Sequence, residues 1–505
     1  MSAPLPTSVH VSALTHRARL ARESFDVVVI GGGINGCGIA RDAAMRGLSV
    51  ALIEQDDFGS GTSGRTSRLV HGGLRYLEHG RLGLVRESRR ERATLMRIAP
   101  HLVEPLRFTW PVYGGSRVST RRLGAGLTLY DLLSLSRPGR WHERLSSGEV
   151  LAREPALKHT GLSGGGAYFD SSTDDSRLTL ANALSAAYWN AVVVNHMRAE
   201  TRRGGAGHEA WLTDGITGER FSIAARVVVR ALGPWTSAAE HSKGSHIAVD
   251  RSRVGNRDAI ALLSPLDGRV MFILPSGSQT IIGTTEVLTR AGPDQVRASE
   301  SEVAYLIESA NAYLADARLR RSDVISAWAG LRPLVAVPAG ANPSTASREH
   351  LIERGADGTI TITGGKLTTY RAVAEEVVDA VQVALEMRKT RSRTAAEALP
   401  GADRSSVIEE IIRAHPQTGI DLGANSGVRA ADLIYSVRHE HALTLSDLLI
   451  RRTLAAFRAR DHAVSLASPA ADVVAPLLGW TAEMKETAIA NYARDIARVF
   501  TIDPA

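Results

Sequence analysis

The sequence predicts an α/β protein in which a Rossmann-like dinucleotide-binding domain is assembled from separated segments and is followed by an all-α domain. The chain opens with an apolar strand at 25–30, a helix at about 35–46 and a second strand at 49–53 that is followed by Glu54. The α/β pattern returns further along the chain, whereas the residues after about 391 have helical periodicity throughout. Between these stretches the chain is rich in proline and in short strand-like runs, which predicts a second domain with a mixed sheet.

The first turn, GGGINGCG, has the spacing of a dinucleotide-binding fingerprint. Gly31 permits a tight turn, Gly33 leaves room for a pyrophosphate against the backbone, and Gly36 lets the helix pack closely on the sheet. The helix N-terminus near Asn35 offers N–H groups to a diphosphate. Glu54 comes about 20 residues further on, where its carboxylate can accept hydrogen bonds from both ribose hydroxyls. The combination predicts an adenine dinucleotide, and the alternative is a glycine-rich turn in an ordinary α/β domain.

The composition limits the classes of protein that the chain can form. With 505 residues, 44% hydrophobic and 22% charged, it is large enough for two or three globular domains. No stretch approaches the roughly 20 uninterrupted apolar residues that span a bilayer. Lys and Arg number 60 against 53 Asp and Glu, and the isoelectric point is near 9.7. This balance favours anionic partners, such as a phosphorylated substrate or an acidic membrane surface, and no basic run is interleaved with the aromatics that would indicate nucleic acid binding.

Cys37 is the only cysteine, so no intramolecular disulfide can form and a reducing compartment is expected. It lies inside the glycine turn, where we interpret it as a small packing residue. Residues 1–24 lack the apolar core of a secretory signal and are predicted to be a loose basic tail.

A loop rich in glycine, serine and threonine follows the second strand, from Phe58 onward. Its hydroxyl and N–H groups can wrap a polar ligand without bulky side chains intervening. The loop ends in HGGLRY, which sets a histidine, an arginine and a tyrosine around two glycines before a helix. The candidate ligand-binding positions in this loop are Thr62, Ser63, Thr66, Ser67, His71, Gly72 and Gly73.

With these blocks the chain resembles the FAD-dependent glycerol-3-phosphate dehydrogenases of the aerobic, respiratory type, which share a fold with glycine oxidase and D-amino-acid oxidase. GGGINGCGIARDAAMRGLSVALIE and TSGRTSRLVHGGLRYLE carry the resemblance, and WAGLRPL, TGGKLTTYR and EHALTLSDLLIRRT follow in the family's order. The resemblance covers essentially the whole chain. It implies an α/β FAD domain of the glutathione-reductase or amino-acid-oxidase type in three discontinuous segments, a mixed β-sheet cap domain for the substrate, and an all-α C-terminal domain.

The changes in composition along the chain set the expected bounds of these domains. They are a basic tail at 1–24, the FAD domain at 25–92, 167–240 and 345–391, the cap domain at 93–166 and 241–344, and the helical domain at 392–505.

In chemical terms, the resemblance implies oxidation of sn-glycerol 3-phosphate to dihydroxyacetone phosphate. A base takes the proton of the C2 hydroxyl, a hydride passes from C2 to flavin N5, and the electrons pass to a membrane quinone. The alternative is a related flavin oxidase that uses O2 and acts on glycerophosphate, an amino acid or an amine. A flavin-bearing, membrane-associated scaffold without turnover is a third class. No N-x-x-C attachment pattern is apparent, so the FAD is expected to be non-covalent.

Positive side chains from separate blocks are expected to form a phosphate pocket, because the planar guanidinium fork matches phosphate oxygens. The resemblance makes His246 or an arginine the proton acceptor, with Arg332 and Lys366 as the other expected catalytic residues. The expected substrate-binding residues are the cations Arg75, Arg332, Arg348 and Lys366 and the hydroxyl-bearing Tyr76 and Thr368.

The block TITGGKLTTYR repeats the opening order of strand, double glycine and helix. Its helix N-terminus, near Leu367 or Thr368, presents a positive dipole end that would favour reduction of a flavin. Together with the end of the strand RVVVRALGPW, this block completes the expected cofactor-binding set, which adds Gly233, Gly365, Lys366, Leu367 and Thr368.

The stretch at 119–140, STRRLGAGLTLYDLLSLSRPGR, sets a basic cluster beside an apolar run. An interfacial membrane helix and a buried helix with a basic end both fit this pattern. We expect a cytoplasmic protein that lies peripherally on the cytoplasmic face of the plasma membrane, with a quinone or another electron acceptor and an anionic membrane surface as partners. A homodimer remains an open alternative.

Overall fold

The computed structural model describes residues 13–74, 77, 80–133, 141–204, 207–236, 241–315, 318–332, 350–423 and 426–504. Within these ranges the chain forms two large β-sheets and a group of C-terminal helices.

The strands are, in chain order, β1 (Phe25–Ile30), β2 (Val50–Ile53), β3 (Leu69–Val70), β4 (Val103–Tyr113), β5 (Glu143–Leu145), β6 (Leu162–Thr173), β7 (Val192–Val194), β8 (Met197–Gly204), β9 (Gly207–Asp214), β10 (Arg220–Arg230), β11 (His241–Asp250), β12 (Ala259–Leu263), β13 (Val270–Ser276), β14 (Gln279–Gly283), β15 (Val287–Thr289), β16 (Val324–Arg332), β17 (His350–Arg354) and β18 (Ile360–Gly364).

The α-helices are α1 (Ala13–Leu20), α2 (Ile34–Met45), α3 (Leu82–Ile98), α4 (Thr120–Leu132), α5 (Ser147–Arg153), α6 (Asp175–Tyr188), α7 (Arg251–Val254), α8 (Glu300–Asn311), α9 (Tyr370–Ala384), α10 (Arg404–Ala414), α11 (Ala430–His439), α12 (Ala455–Arg458), α13 (Ala467–Leu478) and α14 (Ala482–Phe500).

The first sheet has a parallel centre in the order β18-β10-β1-β2-β7. Strands β1 (FDVVVI) and β2 (VALI) are almost wholly apolar because both faces of the sheet are covered. Val27 and Val29 pack with α2, α6 and α9 on one face, and Val28 packs on the other face with α1 and the β8-β9 hairpin. The strands come from three separated stretches of chain, so the predicted fold class of a discontinuous, Rossmann-like domain is confirmed.

Part of the segment that the sequence predicts as a loose tail is folded. Helix α1 contributes Ala13, His16 and Leu20 to the interior. Arg17 fixes the helix, because it donates to Asp214 (2.8 Å) and to the carbonyl of Asn195 (2.7 Å). Local composition could not indicate these partners, since both lie far away in the sequence.

The second sheet is mixed and has the order β15-β11-β14-β13-β12-β4-β6-β3, with β16 pairing to β11 and β5 to β6. Most neighbouring strands are antiparallel, but β12 and β4 run parallel. Most of these strands come from the two proline-rich and strand-rich stretches, but β3 and the end of β6 beyond residue 166 lie outside the bounds expected for the cap.

The C-terminal helices α11 to α14 share a core with the second sheet, and α10 packs on α11 through Ile408. The ring of Phe457 stands perpendicular to that of Trp328 on β16, with centroids 5.1 Å apart. In the ranges that the structure describes, no helix is long and apolar enough to cross a bilayer.

Candidate cofactor and substrate site

Two adjoining cavities lie beside the glycine turns that follow the parallel strands. The outer cavity, of about 300 Å³, is lined by the first glycine turn, by Glu54 and by the loop 60–66. The inner cavity, of about 230 Å³, lies between that loop and the second sheet. The residues that line both cavities are Thr62, Thr66, Gly365, Lys366 and Leu367.

The first glycine turn brings the backbone to the outer cavity. Gly31 has a φ of +108°, which residues with a side chain rarely adopt. A Cβ on Gly36 would lie 1.8 Å from the carbonyl oxygen of Gly31, so α2 can start this close to β1 only with glycine there, and Gly36 itself lines neither cavity. Gly33 is the N-cap of α2, and a Cβ on it would stand 3.2 Å from Ser63 Oγ. The N-terminus of α2 therefore borders the outer cavity, where a diphosphate can meet its N–H groups.

Glu54 comes directly after β2, and its buried carboxylate lines the outer cavity. Its Oε1 accepts a hydrogen bond from the N–H of Asp56 (2.8 Å), and its Oε2 accepts one from the N–H of Gly32. Burial raises the pKa of Glu54 to about 7, although these hydrogen bonds favour the charged form. Hydroxyl groups that donate to the carboxylate would favour its charged form further.

The outer cavity fits an adenine dinucleotide by the polar groups that it offers. The side-chain oxygen of Asn35 is buried and has no hydrogen-bond partner in the part of the chain that the structure describes. Its amide nitrogen donates to the carbonyl of Gly364 (3.2 Å). Ser63 Oγ accepts from the N–H of Ile34 (2.9 Å). A carboxylate, a helix N-terminus and an unsatisfied amide oxygen in one cavity match ribose, diphosphate and ring groups.

Several hydroxyls of the loop are engaged within the protein. Thr62 Oγ1 donates to the carbonyl of Leu331 (2.6 Å). Thr66 Oγ1 and the N–H of Thr66 both donate to Asp175 Oδ2, at 2.7 and 2.9 Å. These contacts fix the shape of the loop where the two cavities meet.

The end of the loop reaches the inner cavity. His71 and Gly73 line it, and the backbone of His71 exchanges hydrogen bonds with the hydroxyl of Thr368, at 3.1 and 3.2 Å. Gly72 lines neither cavity. It packs closely on Tyr130 instead, since a Cβ at this position would lie 2.3 Å from the Tyr130 hydroxyl. The structure thus gives Gly72 a packing position and brings Thr368 to the inner cavity.

The walls of the inner cavity are residues that the sequence reasoning missed. Phe108 and Trp110 belong to β4. They are two residues apart in LRFTWPVY, and alternate residues of a strand lie on the same face, so the sequence pattern indicates that both face one side of the sheet. The other walls come from distant strands that no local pattern connects. The mainly apolar lining is Leu69, Leu74, Phe108, Trp110, Tyr168, Val270 and Phe272.

Two cations line the inner cavity. Arg332, at the end of β16, donates to Thr284 Oγ1 (3.2 Å), and its Nη1 lies 3.6 Å from Glu286 Oε1. Lys366 lies at the junction of the two cavities and precedes the turn of 3-10 helix Leu367–Thr369 that leads into α9. The predicted substrate residues Arg332, Lys366 and Thr368 are therefore brought together.

His246 on β11 is buried and lines neither cavity. Its Nε2 lies 2.8 Å from the hydroxyl oxygen of Ser67, which does line the inner cavity. Its ring stacks on Trp328 with the centroids 5.4 Å apart. Burial, and then the charges of Arg332 and Arg68, lower the pKa of His246 to about 3. The imidazole is therefore neutral and one residue away from the inner cavity.

Gly233 lines the outer cavity after β10, with a φ of +55°. Three predicted substrate residues, Arg75, Tyr76 and Arg348, lie outside the described residues.

Models of two protein families match the chain. Residues 26–380 match the family described as FAD dependent oxidoreductase, and residues 400–485 match the C-terminal domain of alpha-glycerophosphate oxidase. The chain is 34% identical to a glycerol-3-phosphate dehydrogenase of Synechocystis sp., with 93% of this chain and 96% of the relative covered. It is 32% identical to an aerobic glycerol-3-phosphate dehydrogenase of Staphylococcus saprophyticus, with 92% and 93% covered.

Among solved structures, the glycerol-3-phosphate dehydrogenase of Bacillus halodurans, complexed with FAD, is similar over 97% of this chain and 98% of its own. The TM-score is 0.77 and the sequence identity is 29%.

Proposed function

The chain belongs to the FAD-dependent glycerol-3-phosphate dehydrogenases, and from that premise we propose that it oxidises sn-glycerol 3-phosphate to dihydroxyacetone phosphate. FAD is its cofactor. The observation that carries the proposal is that a cavity with two cations, Arg332 and Lys366, adjoins the cavity that fits a dinucleotide. A phosphorylated substrate in the inner cavity would then lie next to the end of the cofactor.

The outer cavity would hold FAD through the N-terminus of α2 at Gly33, the carboxylate of Glu54 and the side chain of Asn35. With FAD bound, the chemistry that it supplies is the uptake of two electrons as a hydride released from C2 of the substrate. The remaining tasks belong to the chain: it binds the phosphate, orients C2 and removes one proton.

Arg332 and Lys366 would bind the phosphate. Charge-assisted hydrogen bonds from a guanidinium and an ammonium suit phosphate oxygens. The apolar walls, including Phe108, Trp110 and Phe272, would exclude water and strengthen these interactions. They also leave the three-carbon chain few orientations, and holding the reacting atoms in place is a large part of the task.

The proton of the C2 hydroxyl would leave through Ser67 and His246. Ser67 Oγ would accept it while passing its own proton to His246 Nε2, 2.8 Å away. The imidazole is neutral and has a lone pair free for the proton, although burial and the charges of Arg332 and Arg68, which lower its pKa to about 3, make it a weak base. A phosphate bound to Arg332 would offset one of these charges and raise that pKa. The imidazolium would then lie in contact with Trp328, whose ring face stabilises a cation.

A peripheral position at a membrane, with quinone as acceptor, is part of the proposal. On α4 the side chains of Leu129 and Leu132 are 39% and 44% exposed, and Trp141 beyond the helix is 60% exposed. Arg121 and Arg122 are exposed in the first turn of the same helix. An exposed apolar group with adjacent arginines supports the interfacial interpretation of this stretch.

The decisive experiment is anaerobic addition of glycerol 3-phosphate to the purified yellow protein. We expect the blue absorbance band of FAD to bleach with glycerol 3-phosphate and to persist with glycerol or with amino acids. Persistence with glycerol 3-phosphate would refute the proposal, and bleaching by an amino acid would indicate an amino-acid oxidase instead.

The second candidate is a glycerophosphate oxidase that passes electrons to O2. It is favoured by one observation, the match of residues 400–485 to a domain described from an oxidase. A dye-linked or quinone-linked assay beside an oxygen electrode separates the two. A dehydrogenase reduces the dye or quinone rapidly and consumes O2 slowly, and an oxidase does the reverse.

A further inference from the structure

A buried carboxylate connects the outer cavity to the C-terminal helices. Asp57, three residues after Glu54, is 0% exposed. Its Oδ2 accepts from Arg451 Nε (2.6 Å) and Arg452 Nη1 (2.7 Å), and its Oδ1 accepts from Arg452 Nη2 (2.9 Å) and Asn195 Nδ2 (2.9 Å). A carboxylate at this depth is tolerated only because its charge and its hydrogen-bond capacity are fully matched.

Both arginines belong to the segment Asp447–Arg452, a turn of π-helix between α11 and α12. The described residues that line the two cavities end at Thr368, so this segment contributes no side chain to either. Arg451 is held in turn by Asp447 (2.6 Å), and Arg452 also donates to the carbonyl of Glu440 (2.8 Å). The segment therefore presents a preorganised pair of guanidiniums to the loop after β2.

The same segment holds the loop at a second point. Asp447 Oδ2 lies 2.9 Å from His196 Nε2, and the N–H of His196 donates to the carbonyl of Asp56 (2.6 Å). The N–H of Asp56 in turn donates to the carboxylate of Glu54 (2.8 Å). Each step of this chain of contacts is a direct hydrogen bond, and it ends on the group that faces the outer cavity.

We propose that the segment Asp447–Arg452 is a positioning element for FAD, which sets the affinity for the cofactor by fixing the loop Glu54–Asp57. Without the two guanidiniums, the buried charge of Asp57 would be better satisfied in water, and the loop that orients Glu54 would move with it. The C-terminal helical domain thereby acquires a role in cofactor retention, although none of its described residues lines either cavity. The inference rests on FAD as cofactor and is independent of the substrate.

The coupling between FAD and the segment Asp447–Arg452 must be reciprocal. If the attached segment favours FAD, bound FAD must favour the attached segment by the same factor. This consequence distinguishes a positioning role from a merely structural one, because a contact that only stabilises the fold would be equally strong with and without FAD.

The test is the release of FAD from diluted holoenzyme, followed by the rise of flavin fluorescence, in Arg452→Lys and Arg452→Met. Lysine keeps the charge but loses the bidentate fork, so it should fold even where methionine does not. We expect the dissociation constant for FAD to rise by roughly 5- to 150-fold, the usual range of coupling between sites. Val474→Ala, which opens a cavity in the core of the same domain, is the control matched for lost stability and should hold FAD as the parent does.

A second measurement needs no variant. Hydrogen exchange of the amides at 447–452 is compared in the FAD-loaded full chain and in the full chain after FAD removal. We expect slower exchange with FAD. Equal exchange in the two states, or a parental dissociation constant for FAD in Arg452→Lys, would overturn the proposal, and neither result depends on whether glycerol 3-phosphate is the substrate.

Discussion

The imidazole Nε2 of His246 lies 2.8 Å from the hydroxyl oxygen of Ser67, and only Ser67 of the two lines the inner cavity. Among the described residues, the Ser67 hydroxyl is the only group that lines the cavity and also forms a hydrogen bond with the imidazole of His246. If His246 removes the substrate proton through Ser67, the reaction requires both side chains.

We therefore predict that Ser67→Ala and His246→Asn each lower kcat by about 10²- to 10⁴-fold, the usual contribution of general base catalysis. The KM for glycerol 3-phosphate should change little, because neither group binds the phosphate. Ser67→Thr, which keeps a hydroxyl, should recover part of the rate. Steady-state assays with a dye acceptor measure both parameters, and a parental kcat in Ser67→Ala would eliminate the serine from the proton path.

The pH dependence of the rate follows from the environment of His246. Burial, Arg332 and Arg68 lower the pKa of its imidazole to about 3, so the base is already deprotonated at every pH where the protein is handled. We predict that the pH profile of kcat/KM in the parent has no acidic limb near about 6.5, the ordinary pKa of histidine. His246→Asn should therefore leave the shape of the profile in this range unchanged. A limb near 6.5 in the parent that disappears in this variant would show that the imidazole titrates normally.

Glu54 should make FAD binding depend on pH. In the cofactor-free protein burial raises the pKa of Glu54 to about 7, and ribose hydroxyls that donate to the carboxylate would lower it. Binding must then release a proton below about pH 7, so the affinity for FAD should fall as the pH falls through that value and level off above it. Titration of the FAD-stripped protein between about pH 5 and 8 measures the slope.

Glu54→Gln is the matching variant. It keeps the shape but loses the charge, and one charge-assisted hydrogen bond contributes about 1.5–3 kcal/mol. FAD should bind more weakly above pH 7, and the pH slope should vanish. An unchanged slope would mean that another group releases the proton, and unchanged affinity would refute the ribose assignment.

How much of the site the sequence could predict depends on how local its signals are. The glycine turn and Glu54 lie within one βαβ unit, where strand, turn and helix follow from neighbouring residues, and the observed bounds of β1, α2 and β2 agree with the expected ones to within a residue or so. The block of Lys366 and Thr368 repeats the order of strand, glycines and helix, which predicts a second turn beside the cofactor, whereas their substrate roles come from the resemblance.

The parts that sequence reasoning missed depend on pairings between distant strands and helices. Arg452 and Asp57 are 395 residues apart, and each looks like an ordinary surface charge in its own stretch of sequence. Phe108 and Phe272 become neighbours, with ring centroids 5.7 Å apart, only because β4 and β12 pair in parallel and β13 follows. The resemblance predicts a role for His246, but its burial behind Ser67 is a property of the second sheet that no local pattern encodes.

The exposed side of α4 predicts association with anionic lipid. Leu129 and Leu132 would enter the headgroup region while Arg121 and Arg122 meet the lipid charges. Binding to vesicles that contain phosphatidylserine should weaken at high salt, because the reach of surface charge shortens to roughly 3 Å at 1 M. At low salt, Leu132→Asp should bind these vesicles less than the parent does. Leu266→Asp, at a leucine of similar exposure (48%) in another region, should bind them as the parent does. Equal binding by both variants would exclude α4 from the contact.

The last prediction concerns the phosphate. Arg332 and Lys366 line the inner cavity, and the loss of one charged hydrogen bond to phosphate costs about 1.5–3 kcal/mol. We therefore expect Arg332→Gln and Lys366→Met each to lower kcat/KM for glycerol 3-phosphate by roughly 10- to 150-fold. A contact that is equally strong in the ground and transition states appears in KM, whereas one that also polarises the C2 oxygen lowers kcat as well. Arg332→Gln is expected to affect both.

The preference for glycerol 3-phosphate over glycerol isolates the phosphate contribution, because glycerol lacks the anion but keeps the reacting carbon. Loss of a contact made to the phosphate alone, as expected for Lys366→Met, should reduce that preference by the same factor as kcat/KM, since the rate with glycerol has no such contact to lose. Arg332→Gln should reduce the preference by less than it reduces kcat/KM, because its contact with the C2 oxygen is lost with glycerol too. A general loss of fold or of FAD would lower both rates and leave the ratio unchanged. Lys389→Met, at an exposed lysine paired with Asp379, is the control and should keep the parental ratio. If Arg332→Gln and Lys366→Met keep it too, the phosphate binds elsewhere.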